Sequence, residues 1–311
     1  MRALALTGPR ALLKHLAQFQ KIAESGKTEL KVLHSPDREA VAKALASFHP
    51  DCVLVFGGDG TLHRHLSSLA GSQIPVLLVP VGSGNDFARA HGIRDIDDAA
   101  QLWQDFLTDK IKPSLSDLGV IAAHTENGSP LQATYFSCCA NIGLDSDAAQ
   151  RTNSLPNWLK ANAGYFVAAL ASLVRYQPQL ISVTANANQQ AAHELAWFAS
   201  ISNTPTYGGG LKIAPQASIT NGQLDITFLP RAGFSRLRLL RHIPKIFNGS
   251  HVKLSGIKIF AAAEVSVKTK RPLPIYADAE PAGFTPCTIT AAPTAISMLR
   301  FQSSSQMPLK P

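Results

Sequence analysis

The sequence predicts an α/β domain with a mostly parallel sheet over residues 1–115, then an antiparallel β-sandwich over 116–303 and a mobile tail over 304–311. Two observations predict this fold class. In the first third of the chain, apolar runs of strand length alternate with amphipathic helical patterns, which is typical of a parallel sheet covered on both faces. Beyond Pro113, short apolar runs follow one another with turn signals between them, which favours antiparallel strands.

The elements of the first domain alternate strictly. In order they are a strand at 2–7, a helix at 10–25, a strand at 28–33, a helix at 36–48 and strands at 52–56 and 75–80. The first helix has one apolar face, formed at helical spacing by Leu12, Leu16, Phe19 and Ala23. Ser35 is expected to cap the second helix, with Pro36 in its first position.

The second domain is expected to open with a hairpin whose turn contains Asn127 and Gly128. One amphipathic helix, Leu155–Tyr176, should follow and either cover the β domain or line a cleft for acyl chains. Its apolar residues at helical spacing are Trp158, Phe166 and Leu170. Short strands are predicted at 181–185, 194–202, 222–229, 256–262, 265–269, 287–291 and 295–301, with a basic helix at 235–247.

The composition is that of a globular protein, since 45% of the 311 residues are hydrophobic and 16% are charged. No apolar stretch is long enough to cross a membrane, and the N-terminal apolar run is too short for a signal peptide, so we expect a cytoplasmic protein. The cysteines have no zinc-site spacing and are expected to be buried, reduced thiols. They are Cys52, Cys138, Cys139 and Cys287.

The net charge is +8, and positive charge is concentrated between Arg231 and Arg271. This segment suits an anionic membrane surface, so we expect peripheral binding at the inner face of the membrane; a solvated helix face has the same composition. Nucleic acid is not an expected partner, because the segment has no interleaved aromatic residues and no recognition motif. A homodimer is left open.

Two glycine-rich loops follow neighbouring strands. They are Gly57-Gly58-Asp59-Gly60-Thr61 and Gly82-Ser83-Gly84-Asn85-Asp86, and a helical pattern follows each. Backbone N–H groups at such strand–helix junctions form anion sites, so the pair of loops predicts a polyphosphate site, although either loop alone is compatible with a tight turn. Asp59 would repel a phosphate unless it bound a metal or a ribose hydroxyl, which favours a magnesium nucleotide.

With these loops, the sequence resembles the diacylglycerol kinase catalytic-domain family, which includes sphingosine, ceramide and bacterial lipid kinases. "GGDGT" alone is also found in NAD kinases, and phosphofructokinases carry a close variant, but here "VPVGSGNDFAR" follows it. Further family-like segments come in order: "LSDLGVI", "YFSCCANIGLDSDA", "YGGGLKIAPQASITNGQLDITFL" and "YADAEP". The resemblance covers nearly the whole chain.

The resemblance implies an NAD kinase/phosphofructokinase-like first domain and an ATP-dependent lipid kinase that uses Mg²⁺ and phosphorylates diacylglycerol or a related lipid. It implies that the nucleotide is held by Gly57, Gly58, Asp59, Gly60, Thr61, Gly82, Ser83 and Asn85. Asp86, Arg89 and Asp117 are expected near the substrate cleft. Asp278 and Glu280 are the implied catalytic carboxylates; we expect them on one face of an extended segment, with Glu280 as the base.

Four features depart from the family pattern. His63 and Arg64 replace an Asn-Glu pair, "LTGPR" replaces a loop containing Asn-Pro, and Ala279 replaces a glycine. Asn221 stands where bacterial members have an aspartate that helps to hold a structural magnesium, so that metal site should be weaker or absent. These departures leave open a nucleotide- or lipid-binding protein that has lost kinase activity, and the shared "GGDGT" motif leaves open an NAD kinase.

Overall fold

The computed structural model describes residues 1–9, 11, 13–144, 146–148, 171–186 and 189–301. They pack as two units, one formed by Met1–Ser116 with the residues from Ile296 onward, the other by Asp117–Ala295. The sequence-based prediction assigns residues 116–303 to the second domain, so it includes residues from Ile296 that pack with the first unit. Residues from Ile296 pack with the first unit because Met298 pairs in parallel with Val76 and the N–H of Leu299 donates to the Val76 carbonyl at 2.9 Å.

The first unit is built on a parallel sheet in the order β2-β1-β3-β4. Its elements are β1 (Arg2–Thr7), α1 (Leu13–Ser25), β2 (Glu29–His34), α2 (Arg38–Phe48), β3 (Cys52–Gly57), α3 (Asp59–Leu69), β4 (Val76–Pro80), α4 (Asp86–Ala90) and α5 (Ile96–Leu107). The three central strands, β1, β3 and β4, are buried along almost their whole length, as expected of a parallel sheet with both faces covered.

Two helices of this unit differ from the sequence-based expectation. Helix α2 is capped by Asp37, whose carboxylate accepts a hydrogen bond from the Ala40 N–H at 2.8 Å, and not by Ser35, which has a φ of 44°. The expectation was wrong because an aspartate three residues before a helical N–H competes with any earlier serine. Helix α5 was not predicted; Asp95 caps it, and its buried face includes Trp103.

The second unit is an antiparallel β structure. Its elements are β5 (Ser114–His124), β6 (Thr134–Phe136), β7 (Cys139–Gly143), β8 (Gln179–Ala185), β9 (Gln189–Ser202), β10 (Leu224–Pro230), α6 (Arg236–Asn248), β11 (Lys258–Ala262), β12 (Glu264–Thr269), β13 (Pro274–Ala277) and β14 (Glu280–Met298). The pairing closes on itself through β7, β13, β14, β12, β8 and β9. An apolar core formed by inward-facing residues such as Ile142, Val183, Ile201, Ile275 and Ile289 fills this circuit.

The hairpin at Asn127 and Gly128 is confirmed, with β5 and β6 antiparallel, and so is the basic helix, now α6. The strands predicted at 287–291 and 295–301 fall in one strand, β14, which ends at Met298 and pairs along its length with β13, β12, β5 and β4. Most of the predicted helix Leu155–Tyr176, including Trp158, Phe166 and Leu170, lies outside the described residues; 171–175 are helical.

All four cysteines are buried free thiols, and burial raises the pKa of Cys287 to about 12. A thiol with so high a pKa remains protonated and unreactive at neutral pH. Among the helices that the structure describes, none has both the length and the apolar character needed to cross a membrane.

Candidate functional site

Helix α3 begins directly after β3, and its first turn offers backbone donors. Gly58 is the N-cap residue, with no side chain to satisfy those donors. The first N–H groups of an α-helix have no carbonyl partner within the helix, and the helix dipole favours negative charge there. A side chain added at Gly60 would meet no atom within 4 Å. The backbone at Gly60 is therefore open to a ligand.

The other glycines at this junction are explained by close packing within the protein. A Cβ on Gly82 would lie 2.5 Å from the Cα of Gly58, so the two loops touch through their backbones. A Cβ on Gly57 would lie 2.3 Å from the Cβ of Thr61, whose side chain is buried there. Close packing is therefore a second reason for these glycines, and their contact with a nucleotide stays a prediction; of Gly57, Gly58, Gly60 and Gly82, only Gly60 has open space on the side of a Cβ.

Asp59 joins the first glycine loop to the helix that follows the second. Its carboxylate accepts hydrogen bonds from the backbone N–H groups of Asp86 at 2.9 Å and Phe87 at 3.0 Å, in the first turn of α4. Asn85, the N-cap residue of α4, makes no side-chain cap; its amide donates to the Gly82 carbonyl at 2.9 Å. The sequence interpretation, in which the charge of Asp59 calls for a metal or a ribose hydroxyl, missed this structural role.

A second acid lies beside Asp59. Asp86 is fully buried and forms an ion pair with Arg89 at 2.6 Å, which compensates its charge. A Cβ on Gly84 would lie 2.7 Å from Oδ2 of Asp59 and 3.7 Å from Oδ2 of Asp86. Two carboxylate oxygens therefore border the space above Gly84, and the neighbouring Ser83 is exposed. Asp59 already accepts two backbone N–H bonds and Asp86 is paired with Arg89, so these carboxylates are engaged within the protein and do not fit a magnesium ion.

In the second unit, Asp278 and Ala279 form the two-residue turn between β13 and β14. Their φ angles are 48° and 69°, and Ala277 pairs with Glu280 across the hairpin. The expectation of an extended segment was therefore wrong, because two residues in the left-handed region reverse the chain. The pattern "YADAEP" does not reveal this, since neither turn residue is a glycine.

The Asp278 carboxylate is held in one position by four donors. It accepts hydrogen bonds from the N–H groups of Ser137 at 2.7 Å, Cys138 at 2.8 Å and Cys139 at 3.2 Å, and from the Ser137 hydroxyl at 3.0 Å. Glu280 is exposed, and no described residue donates a hydrogen bond to its carboxylate. One hairpin thus carries a fixed acid and an exposed acid two residues apart.

Asp117 has a structural role and is connected to Asp278. Its carboxylate accepts hydrogen bonds from the N–H groups of Gly222 at 2.7 Å and Thr294 at 2.9 Å. The buried Asn203 amide donates both to the Asp117 carbonyl at 3.0 Å and to the Ser137 carbonyl at 2.8 Å. Sequence reasoning missed Asn203, because it acts through segments far from it along the chain and no local motif marks it.

The residues around Asn221 do not fit a structural magnesium ion. The Asn221 side-chain oxygen accepts a hydrogen bond from the Gln223 N–H at 3.0 Å, and both carboxylate oxygens of Asp117 are used by backbone donors. Within the ranges that the structure describes, no group of three His, Cys, Asp or Glu side chains is placed to bind a metal. Backbone and side-chain hydrogen bonds hold this turn together.

The two residues that depart from the family pattern lie on α3. His63 is buried, and Arg64 is exposed with its guanidinium 3.4 Å from the Gly60 carbonyl. Arg64 therefore adds positive charge close to the first turn of α3, on the same helix as the open Gly60. An anion bound at that turn would be favoured by this charge.

Comparisons with known proteins cover both units. Residues 7–114 match the family model of the diacylglycerol kinase catalytic domain, and residues 138–300 match that of the YegS C-terminal NAD kinase beta sandwich-like domain. A diacylglycerol kinase of Mycobacterium tuberculosis is 36% identical over 265 residues, which are 85% of this chain and 81% of that protein.

Solved structures show the same fold. A diacylglycerol kinase from Bacillus anthracis is 18% identical, with a TM-score of 0.67 over 96% of each chain. A yeast NADH kinase complexed with NADH is 12% identical, with a TM-score of 0.55 over 100% of this chain and 90% of that one. The predicted fold class, an α/β domain followed by a β-sandwich, is confirmed.

Proposed function

The chain belongs to the diacylglycerol kinase catalytic-domain family, and we propose that it is an ATP-dependent lipid kinase with diacylglycerol as its acceptor. The observation that carries the proposal is the junction of the two glycine loops, which pack together through Asp59 and leave the first turn of α3 open at Gly60. A second support is the hairpin with its fixed and exposed acids, Asp278 and Glu280.

In this proposal, the first unit binds the polyphosphate of ATP. The N–H groups at the start of α3 donate to phosphate oxygens at Gly60, and the exposed Ser83 hydroxyl adds a donor from the second loop. Gly57, Gly58, Thr61 and Gly82 act by packing the loops closely. Mg²⁺, bound with ATP, would neutralise phosphate charge. Asp59 and Asp86 are not assigned to hold this ion, because backbone N–H groups and Arg89 already engage their carboxylates.

The second unit acts on the lipid. Glu280 takes the proton from the lipid hydroxyl as its oxygen attacks the γ-phosphorus, and the bond from that phosphorus to the β–γ bridging oxygen breaks, which leaves ADP and a phosphorylated lipid. Asp278 is a partner that keeps the turn in place, since four donors from residues 137–139 already hold its carboxylate. Because the acceptor resides in a membrane, the protein works as a peripheral membrane protein.

The test is a transfer assay with γ-labelled ATP and Mg²⁺. Diacylglycerol, ceramide and sphingosine are offered in mixed micelles and NAD in solution, each to the wild type and to Glu280→Gln. We expect label in the diacylglycerol fraction and its loss in the variant. Label in NAD would make the protein an NAD kinase, and ATP binding without label in any acceptor would make it a binding protein that has lost kinase activity.

A further inference from the structure

Helix α6 (Arg236–Asn248) has two apolar faces. On the inner face, Leu239 packs against the cluster that contains Trp197 and Phe234, and Ile246 packs against the cluster around Ile213. A second stripe lies on a different face, at spacings of three, four and three residues, which places its members on one side of the helix. We call this the outer stripe; it consists of Leu237, Leu240, Pro244 and Phe247.

The outer stripe is exposed to solvent. The exposed fractions are 66% for Leu237, 37% for Leu240 and 52% for Phe247, and Pro244 is exposed too. Three large apolar side chains in one row on a surface helix form a patch that favours an interaction partner, whereas isolated exposed apolar residues need no explanation. The partner must therefore be one that buries apolar groups.

The charges beside the stripe limit the choice of partner. Helix α6 contains four basic residues and no acidic one. Arg236 and Arg238 donate to protein carbonyls, but Arg241 and Lys245 take part in no ion pair of the described residues. Burial and then the charges of Lys245, Arg238 and Arg241 lower the pKa of His242, which fits a positive potential on this helix.

We propose that α6 docks the protein on anionic membranes, with the outer stripe inserted among the lipid headgroups and acyl chains and with Arg241 and Lys245 on anionic headgroups. A basic helix with an exposed apolar row has the character of an interfacial helix. A second copy of the chain is a poorer partner, because pairing the two stripes would bring two acid-free basic helices together. The docking extends the lipid kinase proposed above but does not depend on its turnover.

The test is vesicle sedimentation. Wild-type protein should bind vesicles of equimolar phosphatidylcholine and phosphatidylglycerol, bind phosphatidylcholine vesicles weakly, and lose affinity in high salt. Arg241→Gln/Lys245→Gln removes two basic groups, and we expect vesicle affinity to fall by about thirtyfold. Leu237→Gln/Phe247→Gln should lower it by at least about tenfold through lost apolar burial.

Two control variants remove the same number of basic or apolar side chains at exposed positions outside α6. Lys268→Gln/Lys270→Gln removes the same charge from exposed positions outside α6, and Leu13→Gln/Leu195→Gln removes side chains exposed by 81% and 52%. Both should bind anionic vesicles like the wild type. If either control loses as much affinity as the α6 variants, or the α6 variants lose none, α6 is not the docking element.

Two further measurements separate the alternatives. If Leu237→Gln/Phe247→Gln turns a dimer into a monomer in analytical ultracentrifugation while vesicle binding persists, the stripe is a self-association surface and the proposal fails. Turnover of a soluble short-chain diacylglycerol should be the same in the α6 variants and the wild type, because it needs no membrane. If the wild type phosphorylates no lipid but binds vesicles through α6, the kinase proposal fails and the docking proposal stands.

Discussion

The carboxylate of Asp59 accepts a hydrogen bond of 2.9 Å from the backbone N–H of Asp86. Asp59 belongs to the first glycine loop and Asp86 begins α4, the helix that follows the second glycine loop, so the first loop holds the start of α4. A further bond of 3.0 Å, from the Phe87 N–H, fixes the other carboxylate oxygen. The two loops also touch directly at Gly58 and Gly82, which leaves no room for side chains. The proposed phosphate site is therefore one rigid assembly, and damage to either loop should affect both.

We expect Asp59→Ala to weaken both the fold and ATP binding. Loss of the bonds to α4 should lower the free energy of unfolding by about 1–2 kcal/mol, the usual range for a lost helix cap, and turnover should be abolished. Asp37→Ala is the control, since it removes the cap of α2 at a comparable cost. If Asp59→Ala binds ATP as well as Asp37→Ala does, Asp59 is only a structural cap.

Gly60→Ala and Gly82→Ala should separate the ligand site from loop packing. An alanine at Gly60 has open space and favours the helix by up to about 1 kcal/mol, so stability should hold or rise, while its methyl group blocks the proposed phosphate position. An alanine at Gly82 would force the loops apart and lower the melting temperature. We expect ATP affinity, measured by calorimetry, to fall at least about tenfold in both. If Gly60→Ala binds ATP with normal affinity, the phosphates of ATP do not bind at Gly60.

Ala279→Gly should stabilise the protein. Ala279 has a φ of 69°, where a Cβ costs on the order of 1 kcal/mol, and glycine removes this cost at the expense of a more flexible unfolded chain. We expect a gain of about 0.5–1 kcal/mol in the free energy of unfolding by urea. Ala261→Gly, at an exposed position of β11, should instead lower it. A loss of stability in Ala279→Gly would mean that the turn is not strained.

The sequence predicted well those features that rest on local patterns. Strands β1, β3 and β4 were recognised as buried apolar runs, and the basic helix was predicted at 235–247, close to its observed bounds. The boundaries failed where backbone pairing with distant segments decides, as at β14, whose segments pair with four strands: β13, β12, β5 and β4.

In the candidate site too, local motifs were predictable from the sequence and contacts between distant segments were not. The glycine loops and the acids Asp278 and Glu280 were found by motif, because each motif is contiguous in the sequence. Their geometry was not predictable, since Asp278 owes its position to donors at 137–139 and to a turn without glycine. Asn203 was not predicted as a site residue, because the two carbonyl groups that its amide contacts are 86 and 66 residues away along the chain.

The protein should lose stability in mild acid because of His91. Burial, with a contribution from the charge of Arg300, lowers the pKa of His91 to about 4. Its Nδ1–H donates to the Phe87 carbonyl at 2.8 Å, so Nε2 of the neutral ring is unprotonated and accepts from the Ser116 hydroxyl at 2.9 Å. Unfolded, the same histidine binds a proton below about pH 6.5.

The unfolded state therefore binds more protons than the native state between about pH 6.5 and about pH 4, and the free energy of unfolding falls as the pH drops through this window, by up to about 3 kcal/mol for His91. Urea titrations from pH 7 to pH 4 measure this slope. His91→Gln should flatten it, while His193→Gln, at an exposed position, should not. An unchanged slope in His91→Gln would show that other groups control the acid sensitivity.

The last prediction separates the roles of the two acids at the hairpin. Glu280 is exposed and available to a hydroxyl, so Glu280→Gln should retain ATP binding and lose turnover by about 10²–10⁴-fold, as expected for a missing general base. Asp278→Asn replaces a carboxylate oxygen with an amide donor that faces the N–H groups of residues 137–139, so it should lower both stability and turnover. Ser137→Ala removes the 3.0 Å hydroxyl contact to Asp278 and a weak 3.7 Å contact to Cys138 Sγ, and should cost about 1 kcal/mol of stability with a smaller loss of turnover. Turnover on the lipid acceptor, ATP affinity and urea unfolding are measured for all three variants. If Glu280→Gln retains full turnover, the base lies elsewhere; if Asp278→Asn loses turnover without losing stability, Asp278 acts in the chemistry itself and not by holding the turn.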